Sequence, residues 1–254
     1  AKLLGVTPGK PVLLSNPDGA MNQTGSGGLK SGVMTVSVGT SSSLRMSVAN
    51  AVLPEEPHTW CYLSPKGYLA GAAISGGCSS IEWFREKIAQ NAPYEQLECR
   101  EDVDTPVFLP FLYGERCPGE TEERSGGFYG LKPYHDRRSM YRAVQEGVLF
   151  NLRQGYEELC RICGEPQGIR LSGGILHSPE WSQMCADIFE REISIEENPQ
   201  CSLQGGVVLA MDVLGYCPAE AFEAETKGII VPLAEHTGHY REKYQRYLEI
   251  YRSA

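Results

Sequence analysis

The 254-residue chain carries 23 basic against 32 acidic residues, a net charge of −9, with 41% hydrophobic and 22% charged residues. This is ordinary globular composition, long enough to bury a sizeable core as one large domain or two small ones. It holds no basic stripe, no apolar run of membrane-spanning length and no visible signal peptide, which argues against nucleic acid or membrane as main partner.

The chain opens at Ala1 without methionine, and residues 1–8 read as the tail of a helix plus a connector, as if part of something longer. Residues 11–17 form a strand-like run ending at Asp18, which opens the glycine-spaced stretch Asp18-Gly-Ala-Met-Asn-Gln-Thr-Gly25. A carboxylate between a strand end and a small-residue helix start is where α/β folds bind ligands. Val33-Met-Thr-Val-Ser-Val-Gly-Thr-Ser-Ser-Ser43 follows, a second apolar strand running into Gly39, Thr40 and serines that suit a phosphate cradle. By themselves, Asp18 reads as well as a helix cap and Gly39-Thr40 as a hairpin turn.

Short strands are expected at residues 43–48, 60–63 and 68–75, with turns at Pro54, Pro57, Pro65 and Gly67. Gly76-Gly77 leads into a helix over 79–89, for which the serines offer an N-cap. Residues 107–113 are apolar and 114–127 a loop, in which Glu115-Arg116 reads as structural and Glu120 to Glu123 as solvated. A long helix is predicted over 137–164, with Val144, Val148, Leu149, Leu152 and Tyr156 on one face. A short strand from Ile169 ends at Gly173-Gly174, and Ser178-Pro179 opens the next helix. A strand over 193–196, a small-residue helix over 201–216 and a polar, aromatic-rich helix over 236–253 complete an α/β pattern.

Gly25-Ser-Gly-Gly-Leu-Lys-Ser31 falls short of a P-loop because Leu29 stands where glycine must precede the lysine, and no Gly-x-Gly-x-x-Gly opens a helix. Nine cysteines without framework spacing fit reduced cytosolic thiols, and Cys160-Arg-Ile-Cys163 reads as packing rather than a metal site. The five histidines show no metal-like spacing, and His177 alone merits watching. Trp83 and Trp181 sit at helix positions that suit the core. The functional signal lies in the set: four strand ends carrying glycine, hydroxyl or carboxylate, with helices beginning behind three of them.

Several stretches, in order along nearly the whole chain, resemble the C-terminal, nucleotide-binding domain of FGGY-family carbohydrate kinases, closest in wording to gluconate and xylulose kinases. They are Ser15-Asn-Pro-Asp-Gly-Ala-Met-Asn-Gln-Thr-Gly-Ser-Gly27, Val38-Gly-Thr-Ser41, Phe108-Leu-Pro-Phe-Leu-Tyr-Gly-Glu-Arg-Cys-Pro118, Gly126-Gly-Phe-Tyr-Gly-Leu131, Arg142-Ala-Val-Gln-Glu-Gly-Val-Leu-Phe-Asn-Leu152, Ser172-Gly-Gly-Ile-Leu-His-Ser-Pro-Glu-Trp-Ser-Gln183 and Ser202-Leu-Gln-Gly-Gly206. The resemblance implies a ribonuclease H-like, actin-like ATPase domain over 1–254, the C-terminal lobe of a two-lobe sugar kinase.

It assigns Asp18 as general base, Gly39 and Thr40 with Gly76 and Gly77 to the phosphates, and Gly173, Gly174 and Ser178 to adenosine. ATP with Mg2+ is the implied cofactor, with no metal ligand assigned on the chain. A small sugar or sugar acid is the implied acceptor, gluconate first and xylulose second. The implied partners are the chain's own N-terminal lobe and, as an option, a second copy; the implied location is the cytoplasm. Ser125 after Arg124, Gln145 and Gln204-Gly205-Gly206 depart from the family wording. The family's Asp-x-Gly-Thr motif and most sugar-binding residues belong to the N-terminal lobe and have no equivalent before Asp18, so the isolated chain is expected to be inactive. The alternative is a non-catalytic nucleotide-binding or regulatory module on the same fold.

Overall fold

The computed structural model describes residues 2–30, 32–55, 58–98, 103–198 and 200–254. The turn at Pro57 and the last residue of the 25–31 stretch lie outside them.

The strands, in chain order, are β1 (Val33–Val38), β2 (Ser42–Val48), β3 (Trp60–Leu63), β4 (Tyr68–Ile74), β5 (Val107–Leu109), β6 (Gly127–Tyr129), β7 (Gly168–Gly173), β8 (Ile193–Glu196) and β9 (Thr226–Ile230). Among the described residues, seven of them form one sheet in the order β3-β4-β2-β1-β7-β8-β9, while β5 and β6 pair separately. The meander side is antiparallel, but β7 runs parallel to both β1 and β8. This is the mixed sheet of the ribonuclease H-like, actin-like fold that the resemblance implied.

Both faces of the sheet are covered, and strand alternation sorts the residues between them. Met34, Val36, Leu44, Met46, Ala70, Ala72, Ile169 and Leu171 enter the main core. That core is roofed by α2 (Cys78–Lys87), α3 (Tyr94–Leu97), α4 (Arg137–Cys163) and α5 (Pro179–Phe189), and α7 (Ala234–Ser253) packs on α4 and α5. The intervening residues face the other way. Thr35 donates to Gln23 at 2.5 Å and Leu69 packs on Ala20 and Met21, all on α1 (Asp18–Gly25). Beside α1 lies α6 (Cys201–Val213), so close that a Cβ on Gly25 would stand 1.8 Å from the Cys201 carbonyl oxygen.

Local chemistry explains the helix ends. Asp136 caps α4 by accepting from the Arg138 and Ser139 amides, and Gly164 at φ 82° ends it. The predicted face of α4 is buried, and each fully buried leucine or valine there contributes roughly 1.5–3 kcal/mol. Along α7, Tyr240, Tyr244 and Tyr247 turn inward, with Phe150 of α4 against the last two. Arg124 lies 4.2 Å from the Tyr251 ring centroid and pairs with buried Glu115 at 2.9 Å, so the 114–127 loop is pinned to α7.

Two expectations are corrected. Residues 11–17 form no strand: Val12 and Leu14 are 93% and 94% exposed, and Pro11 and Pro17 withhold ladder donors. Asp18 is therefore the first residue of a helix, not the end of a buried strand. The serines do not cap α2, because its N-cap is Gly77 and no side chain takes that role. The sequence reading also omitted β6 and β9, two short strands at exposed or half-buried positions.

Candidate active site

Register builds the site. Val38 is opposite Ser42 across the β1–β2 hairpin, Ser42 is opposite Ile74 on β4, and Val38 is beside Gly173 on parallel β7. Three turns, at residues 39–41, 75–77 and 173–174, must therefore open at one end of the sheet. That end holds the carboxyl ends of β1 and β7, the usual ligand edge of an α/β sheet.

The turns are tied together. The Cys78 amide donates to the Gly39 carbonyl at 2.7 Å and the Ser79 amide to the Thr40 carbonyl at 3.1 Å. A Cβ on Gly77 would meet those same oxygens at 2.6 and 2.9 Å. Gly173, at φ 99°, lies where a Cβ would be 2.4 Å from the Val38 carbonyl oxygen, and one on Gly174 would be 2.8 Å from Cys78 Sγ. The glycines let three backbone segments approach within contact distance, and side chains there would fill the cradle.

Below the cradle opens a cavity of about 790 Å³, lined by Thr40, Cys78, Gly174, His177, Ser178 and residues of α2 and α3. That volume falls within the range of ligand pockets. The Ser178 oxygen accepts from the Trp181 amide at 3.2 Å, which fixes the N-terminus of α5 on the cavity wall. Trp181 is buried with its indole N–H on the Gln145 carbonyl, as expected of a core residue. Trp83 is half-buried, stacked on Phe108 and packed against the main core, and like Trp181 it also lines the cavity.

The lining also carries Glu82, Glu86, Glu95 and Glu98, with Lys87 among them, and Glu82 and Glu86 are paired with Arg85 and Lys87. Hydrogen bonds from Arg85 and then Tyr94 hold the Glu82 carboxyl down to about 2. Burial, with Glu180 and Glu95 nearby, pushes Glu98 up. Among the described residues, no group of three His, Cys, Asp or Glu side chains is placed to hold a metal.

Thus Gly39, Thr40, Gly76, Gly77, Gly173, Gly174 and Ser178 come together. Asp18 stands apart on α1, across the sheet from α4, with one carboxylate oxygen accepting from the Gly19 amide at 2.7 Å and its carbonyl from Ser202 at 3.3 Å. Arg45 and Tyr62 press against the same helix end. Sequence reasoning missed Arg45, though a charge between Leu44 and Met46 in a strand covered on both faces is a signal. It also missed Cys78, whose thiol burial pushes up, and the aromatic wall of Trp83, Tyr94 and Tyr141.

Residues 34–212 match the model of the FGGY family of carbohydrate kinases, C-terminal domain; Asp18 falls outside that match. A gluconokinase of Bacillus licheniformis is 29% identical over 232 residues, covering 85% of this chain and 45% of the relative. The ligand-bound xylulose kinase of Lactobacillus acidophilus superposes with a TM-score of 0.89 at 27% identity, over 99% of this chain and 53% of that one. The gluconate kinase of Lactobacillus acidophilus gives 0.83 at 26%, with 99% and 53% covered. The chain spans about half the length of these relatives.

Proposed function

The chain belongs to the FGGY family of carbohydrate kinases, and from that premise we propose that it supplies the ATP-binding half and the general base of a sugar kinase. The whole enzyme transfers the γ-phosphoryl group of ATP to a hydroxyl of a small sugar or sugar acid, gluconate first and xylulose second. The observation that carries this reading is the register that opens three glycine turns at one sheet end over one cavity.

In this reading Gly39, Thr40, Gly76 and Gly77 hold the phosphates. The cradle fits at Gly77, where a Cβ would intrude on the Gly39 and Thr40 carbonyls, while the Gly39 position stays open. Gly173, Gly174 and Ser178 receive the adenosine. A magnesium ion bound with the triphosphate would offset its charge, with no ligand drawn from the described residues. Phosphoryl transfer needs chiefly alignment and charge stabilisation, so a backbone cradle and one carboxylate are a sufficient contribution from this domain. Asp18 takes the acceptor hydroxyl's proton. The acceptor's remaining contacts belong to a preceding lobe that closes over this one in the cytoplasm.

The test is ADP release by the full-length gene product with MgATP and a panel of gluconate, xylulose and glycerol. The reading expects acceptor-dependent turnover, and Asp18→Asn lowers it by about 10²–10⁴. MgATP binding without turnover on any acceptor would replace it with the non-catalytic nucleotide-binding module.

A further inference from the structure

Arg45 lies midway along β2, between Leu44 and Met46, which both enter the core under α4. It therefore points to the opposite face, beneath the first turn of α1. A Cβ on Gly19 would stand 2.8 Å from Arg45 Nε and 3.1 Å from both Arg45 Nη2 and the Tyr62 hydroxyl. Guanidinium and phenol thus abut the turn that presents Asp18.

This is an unfavourable place for a cation. The α1 N-terminus already carries the positive end of the helix dipole. Nε and Nη1 are shut off from solvent and bond to no protein atom. Burial accordingly pulls the guanidinium down from its usual range, against the opposing pull of Tyr62 and Asp18. An arginine serving only to join two elements normally has its buried donors satisfied. Here the compensation comes first from the Tyr62 phenol and then from the charge of one exposed carboxylate, the group assigned as base.

We propose that Arg45, braced by Tyr62, is a positioning residue for Asp18. The inference rests on the kinase reading above, with Asp18 as its base. During transfer the acceptor oxygen bonds to the γ-phosphorus as the bond to the ADP oxygen breaks, and the hydroxyl proton passes to Asp18. Arg45 exchanges no proton and touches no substrate. Its charge aims the carboxylate and offsets the repulsion between that carboxylate and the incoming phosphoryl group.

A double-mutant cycle in the full-length gene product, with MgATP and the best acceptor of the panel, tests this. Arg45→Met lowers kcat about 10- to 100-fold, the scale of a small misplacement of a reacting group, and leaves KM for MgATP within about twofold of the parent. Arg45→Lys restores part of the rate. In an Asp18→Asn background, Arg45→Met changes kcat by less than about twofold, because its target is gone. If the two losses instead multiply, or Arg45→Met keeps the parent kcat, the positioning role is wrong while the kinase reading stands. If Arg45→Met does not fold, Arg45→Lys carries the cycle under the same criterion. A parent without acceptor-dependent turnover, or an Asp18→Asn variant with the parent rate, overturns the base assignment and this inference with it.

Discussion

Replacing Gly77 by alanine tests the cradle most directly. Its φ of 178° is extended backbone open to any residue, so the substitution strains no dihedral. The effect is purely one of space: the new Cβ would sit 2.6 Å from the Gly39 oxygen and 2.9 Å from the Thr40 oxygen, both backbone atoms. One carbon forced into a packed contact costs about 1–3 kcal/mol, and it is relieved only by parting the 39–41 turn from the start of α2. Since that turn is assigned to the phosphates, most of the strain should appear in MgATP binding, as a rise in Kd of about 5- to 150-fold. Isothermal titration of MgATP into parent and variant reads it, with thermal unfolding alongside. Gly206→Ala is the control: it lies in α6 with nothing within 4 Å of its would-be Cβ, so it leaves Kd unchanged and stability equal or about 0.5–1 kcal/mol higher. A Gly77→Ala protein that is folded and binds MgATP within about twofold of the parent refutes the cradle.

Three more outcomes are expected. Gly205→Ala drives a Cβ to 1.9 Å from the Met21 oxygen and separates α6 from α1; a loss of about 3 kcal/mol or more, some 6–12 °C in Tm, follows, in contrast to its neighbour Gly206. Glu146→Leu removes the buried carboxylate that meets Lys243 and Thr105 at 2.7 Å and Arg142 at 3.3 Å; unfolding by urea should show a loss of about 3–5 kcal/mol with MgATP affinity kept. Asp136→Ala removes the α4 cap and costs about 1 kcal/mol at neutral pH. Amide bonds from Ser139 and Arg138 hold the folded Asp136 carboxyl below its usual 3.8, so its stabilisation is complete above that value. The difference between parent and variant should shrink as pH falls below 3.8 through the folded value, and a constant gap down to acid unfolding contradicts the cap's electrostatic part.

Much of the fold was legible because its signals are local. The 3.6-residue spacing of Val144, Val148, Leu152 and Tyr156 marks α4 within one window of sequence, and Ser178-Pro179 marks the start of α5 by chemistry confined to one turn. The strand misread at residues 11–17 shows the limit of that method. Its apolar run Val12-Leu13-Leu14 looks like a strand, yet a strand exists only where a neighbour takes its hydrogen bonds, and none does among the described residues. Strands β6 and β9 were missed for the converse reason, since their partners β5 and β8 supply what their own short sequences do not signal.

By itself, then, the sequence determined the long helices, most of the sheet strands, the glycine turns and the family wording, because each is written in neighbouring residues. It could place Asp18, Thr40, Gly77 and Gly174 on turns but not in relation to one another. Only the tertiary structure decided that the turns at 39–41, 75–77 and 173–174 share one sheet end, because register is a property of strand pairs. It alone set Arg45 under Asp18, since which face of β2 lies under α1 depends on α4 covering the other. Backbone approaches between residues far apart in the chain leave no local trace beyond the glycine itself.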